Sequence, residues 1–235
     1  MAPRVSVIIP AYNEADVISD TIRAALGIPG VSEVIIVDDA SSDGTADVAR
    51  SAGAHQVTIL QQNLGKGGAL NKAWPAAAGE VLLLLDADLG ASASEGAKLL
   101  ESVLKDEADM AVALFGRLQS VENGSKLTTR SRGFGLVVKT ARLGIKALTG
   151  KTVESPLAGP RALKREIIEK AGGFASRFGV EVGLTIDALR MGYRVVEVPV
   201  GMVHRPSGRD LKGFIHRGSQ MVDMLRTLGR KALGL

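Results

Sequence analysis

Two carboxylates, Asp86 and Asp88, stand one residue apart at the end of the most apolar run in the chain, "LLLLDADLG" at residues 82–90. In an extended chain residues i and i+2 point to the same side, so both acids are expected to face one site while Ala87 turns away or offers its backbone. Acids held together repel unless a cation or a donor compensates them. Mg²⁺ and Mn²⁺ favour oxygen ligands, and Mg²⁺ usually takes one or two carboxylates, with phosphate and water completing its shell. The pair therefore predicts a metal shared with a diphosphate. Upstream, "NLGKGGAL" at 63–70 offers backbone N–H groups and Lys66 near a helix start, which suits an anion. It is not a P-loop, which needs Ser or Thr where Gly67 stands, nor G-x-G-x-x-G, because Leu70 holds the last glycine position.

Elements that position these groups are readable from periodicity. Five short β-rich runs, 5–9, 34–37, 57–60, 81–85 and 110–114, alternate with helix-like segments at 14–26, 43–52, 66–78 and 92–105. Strands apolar on both faces and alternating with helices predict an α/β fold, a mostly parallel sheet flanked by helices. In such sheets the loops at the carboxyl ends of the strands converge on the ligand crevice. Polar and glycine-rich clusters follow four strands in turn: "PAYNE", "DDASSDGT", "QQNLGKGGALN" and "DADLG". Ser42 or Asp43 alone reads as a helix cap and Gly65 alone as a turn. Four such clusters at one edge read as a site.

Beyond residue 116 the alternation fails. Residues 116–132 read as a polar loop whose Arg117, Lys126, Arg130 and Arg132 could meet an anion, and 134–148 reads as a helix. "SPLAGPRALKRE", a helix near 181–191, the strand "RVVEVPV" and a basic helix from Leu211 follow, without a linker that would divide the chain.

The totals narrow the class. With 235 residues, 46% hydrophobic and 23% charged, the chain is long enough for one globular α/β domain, and no apolar run approaches the roughly 20 residues a bilayer span requires. No signal-like segment precedes "VSVIIP", and cysteine is absent, so a cytoplasmic location is expected. Aromatic residues at 3% leave little for base stacking, which argues against nucleic acid as a partner. Residues 203–235 carry seven Lys/Arg against two Asp/Glu, so the tail is the basic part of a chain with net charge +4. Its Leu225, Leu228 and Leu233 alternate with Arg226, Arg230 and Lys231, a pattern that permits weak peripheral contact with a membrane surface.

Taken together, "VSVIIPAYNEADVI", "IIVDDASSDGT", "NLGKGGALNKA" and "GEVLLLLDADL" resemble the nucleotide-binding half of family 2 glycosyltransferases with the GT-A fold, over about the first 90 residues. The resemblance implies that Pro10, Ala11, Tyr12 and Glu14, with Asp39, surround the base and ribose. It sets Gly65 and Lys66 by the ribose and phosphates, Asp86 and Ala87 near the nucleotide, and Asp88 on the metal. In the second half, "SPLAG", "FGVEVGLTIDAL" and "VHRPSGRDLKGF" are similar to glucosyl-3-phosphoglycerate synthases, and parts to polyprenyl-phosphate sugar transferases. That likeness makes His204 a further metal ligand, a role its imidazole suits with Mn²⁺, and "HRPSGR" adds Arg205 and Arg209 as expected partners for the diphosphate leaving group.

The expectation is a single GT-A domain over 1–235, with a nucleotide-sugar half at 1–115 and an acceptor half at 116–235. It would move a sugar from a UDP- or GDP-sugar to an acceptor such as 3-phosphoglycerate or a polyprenyl phosphate, with Mg²⁺ or Mn²⁺ as cofactor and a homodimer permitted. Glu181, at a helix start, is either the general base for a hydroxyl acceptor or, for an acceptor already ionised, a residue that orients substrate. The competing reading is a catalytically silent nucleotide-sugar binder that regulates a membrane partner.

Overall fold

The computed structural model describes residues 3–115, 135–175, 179–204 and 211–233, the last stretch with its side chains from residue 222. Seven strands, β1 (Val5–Ala11), β2 (Val31–Asp38), β3 (Gln56–Ile59), β4 (Val81–Leu84), β5 (Met110–Phe115), β6 (Arg161–Lys164) and β7 (Val195–Val200), form one sheet in the order β3-β2-β1-β4-β6-β5-β7. The β1–β2, β1–β4, β2–β3 and β5–β7 pairs are parallel, and β6 is antiparallel to both neighbours. The expected fold class is therefore observed, and strands from both halves of the chain share its sheet.

Burial explains the composition of the strands. Val5, Val7, Ile8 and Ile9 in β1 and the whole of β4 are buried, as strands covered on both faces by helices must be. The helices α1 (Ile18–Leu26), α2 (Thr45–Ser51), α3 (Gly65–Ala73) and α4 (Gly96–Leu104) link the first strands. In α1 the buried Ile18, Thr21, Ile22 and Ala25 recur at the i, i+3, i+4, i+7 spacing of a helix with one apolar face. Helices α5 (Gly135–Thr149), α6 (Arg165–Ala171), α7 (Val180–Arg190) and α8 (Leu211–Ala232) follow. A smaller core joins α5, α7 and α8 through Val137, Ala141, Ile145, Val182, Ile186 and Met224.

Three local differences from the sequence expectation have physical causes. Helix α1 begins at Ile18 because Glu14 is drawn into a turn, with the N–H groups of Val17 and Ile18 donating to its carbonyl. Helix α3 ends at Ala73, where Pro75 imposes a single 3₁₀ turn over Trp74–Ala76. Strand β6, within "SPLAGPRALKRE", carries no alternation; its four residues are recruited by pairing with β4 and β5.

The topology fixes where a ligand can sit. From β1 the chain moves outward through β2 and β3, then returns to place β4 on the other flank of β1. That reversal is a topological switch point, and the crevice opens beyond the carboxyl ends of β1 and β4. Strand β6 runs the other way, pairing Arg161 with Leu84, so its amino end lies at the same edge.

At the opposite edge a charge cluster secures β5, β6 and β7. Asp109 accepts from Lys164 Nζ at 2.7 Å and from the main-chain N–H of Arg194 at 2.8 Å, and the Arg194 guanidinium meets it at 3.0 and 3.1 Å. The Arg194 hydrogen bonds, reinforced by Lys164 against the opposing effect of burial, hold the Asp109 carboxyl well below the usual carboxylate range. A depressed folded-state pKa contributes stability above the unfolded-state value near 3.9, lost as pH falls toward the folded one. Asp109→Asn should therefore lower the urea midpoint at pH 7, with the gap from wild type narrowing steadily below about pH 4. A gap that stays constant down to pH 2 would show that the charge of Asp109 contributes nothing.

Candidate active site

The loops after β1 and β2 are tied to each other before any ligand arrives. Asn13 adopts φ 56°, a left-handed conformation that Asn tolerates better than most residues, and its Oδ1 accepts the N–H of Ser42 at 2.9 Å. In return the N–H of Asn13 donates to Ser41 Oγ at 2.9 Å, and the N–H of Glu14 to Thr45 Oγ1 at 2.9 Å. Pro10 and Ala11 thus end β1 at the crevice, with Tyr12 half exposed just beyond and Glu14 half-buried. Buried Asp39 takes the N–H of Leu64 on Oδ1 at 2.7 Å and that of Gly65 on Oδ2 at 2.8 Å. It caps the start of α3, so the acid expected at the nucleotide also fixes the loop that presents Lys66.

Lys66 projects from the first turn of α3 into the crevice and lodges between two acids. Its Nζ is 2.5 Å from Asp86 Oδ1 and 2.9 Å from Glu181 Oε1, with all three side chains largely buried. Burial disfavours the charge on Lys66, but the fields and hydrogen bonds of Asp86 and Glu181 outweigh it and hold its pKa above the ordinary lysine value. Asp86 is likewise buried, yet Lys66, His204 and Arg161 keep its carboxyl below the usual range. Glu181 enters from the first turn of α7, so residues from both halves of the chain meet at one nitrogen.

The expectation that Asp86 and Asp88 share one face of an extended strand needs correction. Asp86 is extended, but Ala87 begins a 3₁₀ turn that carries Asp88 out of strand geometry. The cause is visible at Ala87, whose side chain is buried and whose carbonyl accepts the Thr21 hydroxyl at 2.7 Å. Its backbone therefore holds α1 against the loop after β4. The two acids converge instead through His204, whose Nδ1 lies 3.0 Å from Asp88 Oδ1 and whose Nε2 is 3.9 Å from Asp86 Oδ2. The His204 ring packs on Phe115 at 5.2 Å, which aims it. Burial lowers the His204 pKa, while the Asp88 hydrogen bond and both carboxylates raise it, leaving it above the ordinary histidine value.

Asp88 and His204 suit a divalent metal. Neighbouring donors in an octahedral shell with bonds of about 2.1 Å stand roughly 3.0 Å apart, matching the observed separation. An oxygen and an imidazole nitrogen are a donor set that Mn²⁺ accepts, and Mg²⁺ accepts the carboxylate. Among the described residues no three His, Cys, Asp or Glu side chains form a complete cage. The remaining positions would fall to water and substrate oxygens. Arg209, expected at the diphosphate, lies outside the described residues with Arg205 and the 116–132 cations.

Sequence reasoning missed Arg161 and Gly159. Arg161 is 1% exposed, and its guanidinium donates to the carbonyls of Glu181 at 3.2 Å, Gly159 at 3.3 Å and Ala158. It fixes the start of α7, and hence Glu181, relative to the turn that precedes β6. Gly159 packs directly on the charge cluster: a Cβ there would fall inside contact distance of both Asp86 oxygens and Lys66 Nζ. The one available signal was the pairing of a lone arginine with a glycine in an apolar segment, "LAGPRAL".

Comparisons with known proteins identify the family and the fold. Residues 6–172 match the model of glycosyl transferase family 2. The chain is 30% identical over 240 residues to the undecaprenyl-phosphate mannosyltransferase of Micrococcus luteus, covering 95% of this chain and 93% of that one. It is 29% identical over 215 residues to glycosyltransferase AglJ of Haloferax volcanii, covering 88% of this chain but spanning only 65% of AglJ. The crystal structure of glucosyl-3-phosphoglycerate synthase from Mycobacterium tuberculosis in complex with Mn²⁺, uridine diphosphate and phosphoglyceric acid aligns with TM-score 0.76 and 27% identity, over 97% of this chain and 78% of that one. The fold is GT-A.

Gly159→Ala tests the packing of this site. Over-packing of this kind costs about 1–3 kcal/mol, so the variant should still melt cooperatively, a few degrees below wild type. Its affinity for UDP or GDP with Mn²⁺, read by calorimetry, should fall at least tenfold because Lys66 and Asp86 are pushed apart. Unchanged affinity would mean that the pair is irrelevant to nucleotide binding.

Proposed function

The chain belongs to glycosyl transferase family 2, and from that premise we propose that it transfers a sugar from a nucleotide-diphosphate sugar to a phosphate-bearing acceptor with the help of Mg²⁺ or Mn²⁺. The observation that carries this reading is Lys66 held between Asp86 and Glu181, beside Asp88 and His204, at the switch point of the sheet. Residues 1–115 are assigned to the donor, with Pro10, Ala11, Tyr12, Glu14, Asp39, Gly65 and Ala87 forming or bracing its nucleoside side. Residues 116–235 are assigned to the acceptor. Relatives named for undecaprenyl phosphate and a structural neighbour holding phosphoglyceric acid favour an acceptor with a phosphate. A lipid phosphate would place the protein at a membrane surface, and a small phosphorylated acid would not.

Rupture of the sugar–diphosphate bond leaves positive charge at the anomeric carbon and negative charge on the departing nucleotide. Asp88 and His204 would hold the metal, which when bound supplies Lewis-acid stabilisation of that negative charge. Among the described residues Lys66 is a cation that faces the crevice, and its flexible stem would let the ammonium follow a phosphate oxygen. Asp86 and Glu181 hold it in place until then. Glu181 is engaged by Lys66 at 2.9 Å, and the carbonyl of its own residue is fixed by Arg161. A carboxylate so occupied is built to orient rather than to collect a proton, which suits an acceptor whose attacking oxygen is already ionised.

Two variants test the reading, using a panel of UDP- and GDP-sugars crossed with 3-phosphoglycerate and a short polyprenyl phosphate. Asp88→Ala should lower kcat/KM at least about 100-fold and abolish the response to Mn²⁺, since a metal contributes several kcal/mol to such a transition state. Retained Mn²⁺-dependent turnover would remove Asp88 from the metal site. Glu181→Gln should raise KM while leaving kcat within about tenfold of wild type. A loss of the 10²–10⁴ typical of a missing general base would restore the hydroxyl-acceptor mechanism.

A further inference from the structure

Helices α5 and α8 lie side by side over α7, and their outward faces carry a pattern that the transfer reaction does not use. Gly144 in α5 allows close approach of Leu228 in α8, where a Cβ would collide with its side chain. Arg190, the last residue of α7, donates to the carbonyls of Leu148 at 3.2 Å and Lys231 at 2.6 Å, tying the ends of the two helices together. Their inward residues, among them Val137, Ala141, Ile145 and Met224, form the smaller core. The pair is therefore a fixed platform.

On the outside of α5, Leu136 and Leu143 are 69% and 59% exposed and alternate with exposed Lys139 and Lys146 in one stripe along the helix. On α8 Leu225, and just past its end Leu233, are 49% and 76% exposed, beside exposed Arg226 and Arg230. Helix α5 contains no acid, and the single acid of α8, Asp223, is buried. The two helices carry eight Lys/Arg against that one Asp, although the whole chain has a net charge of only +4, so the remainder is net acidic. Leucines interleaved with cations on one rigid face, where Arg226 reaches the buried Asp223 at 3.6 Å and Lys231 is held by Asp187 at 2.8 Å, match the interfacial zone of a bilayer, apolar below and phosphate-rich above.

We propose that the α5–α8 face docks on an anionic phospholipid bilayer, its leucines entering the headgroup boundary and its lysines and arginines meeting lipid phosphates. A second copy of this chain fits less well, because an isologous contact would set like charges against each other. Among the described residues no helix is long and apolar enough to cross a membrane, so the contact lies on the surface. Helix α7 sits beneath the platform and carries Glu181, while Gly179 and Gly183 pack against Thr227 of α8. Docking would thus hold the site at a set height above the lipid. The inference is independent of the transfer reaction, since adsorption requires no turnover.

Cosedimentation of the full chain with vesicles tests it. Binding is expected to vesicles of phosphatidylcholine with 30% phosphatidylglycerol, to be at least tenfold weaker to pure phosphatidylcholine, and to decline as salt rises. Lys139→Glu/Lys146→Glu and, separately, Leu143→Ser/Leu225→Ser should each reduce the partition coefficient at least tenfold. Arg23→Glu/Arg50→Glu, with the same change in net charge on α1 and α2, should reduce it less than threefold. Nucleotide affinity with Mn²⁺ serves as the check that each variant is folded. Equal binding to neutral vesicles, or equal losses in both charge-reversal variants, would overturn the proposal. So would a wild-type dimer in light scattering that Leu143→Ser/Leu225→Ser dissociates without affecting lipid binding. Vesicle binding without transfer to any phosphate acceptor would sink the transferase reading and leave the docking face standing.

Discussion

The arrangement at the carboxyl edge of the sheet depends on a single ammonium group shared by two acids. Asp86 and Glu181 come from opposite halves of the chain, and without Lys66 they would be two half-buried negative charges repelling across the crevice. Removing one partner from such a cluster is far more damaging than never having built it, because the remaining charge is stranded away from water. The ammonium therefore does more than await a phosphate. It decides that the loop after β4, the start of α3 and the first turn of α7 must occupy one place, and the rest of the edge is arranged around that requirement.

The reversed strand makes the arrangement possible. Five parallel strands in a row would have sent the turn before the fifth to the far edge of the sheet. By running antiparallel between β4 and β5, β6 delivers Ala158, Gly159 and Arg161 to the active edge. Gly159 lets the backbone approach Asp86 and Lys66 more closely than any side chain would allow, and Arg161 grips the amino end of α7 through main-chain carbonyls. The Asp109–Lys164–Arg194 cluster joins β5, β6 and β7 at the opposite edge, so the inserted strand is braced at both of its ends.

Much of this was legible in the sequence because it is local. Apolar runs alternating with helical segments gave the parallel sheet, and polar clusters after four successive strands marked the functional edge. What escaped was non-local. β6 has no period of its own and exists because β4 and β5 each offer it an edge, and a four-residue segment gives pattern reasoning nothing to measure. The ion pair from Lys66 to Glu181 crosses the boundary between the halves, so no spacing rule reaches it. Asp88 illustrates the reverse error: the i, i+2 rule needs extended backbone through Ala87, whereas β4 ends at Leu84 and Ala87, its carbonyl held by the Thr21 hydroxyl, begins a 3₁₀ turn. The platform face shows a partial reading, since the leucine–arginine alternation of α8 was visible but its partner α5 is identified only by packing.

The charges at this edge divide into two groups with different duties. Lys66, Arg161, Asp86 and Glu181 form an inner set of two cations and two anions that is balanced by itself, whereas Asp88 and His204 form an outer pair with room for further ligands. Within the inner set the two cations are not equivalent. Arg161 is sealed from solvent and immobilised by three carbonyls, while Lys66 is 20% exposed on a flexible stem. If Lys66 moves outward, Asp86 and Glu181 keep only the field of the fixed Arg161 guanidinium, whose hydrogen bonds go to main-chain carbonyls rather than to either carboxylate. The fold thus separates a permanent countercharge from a movable one.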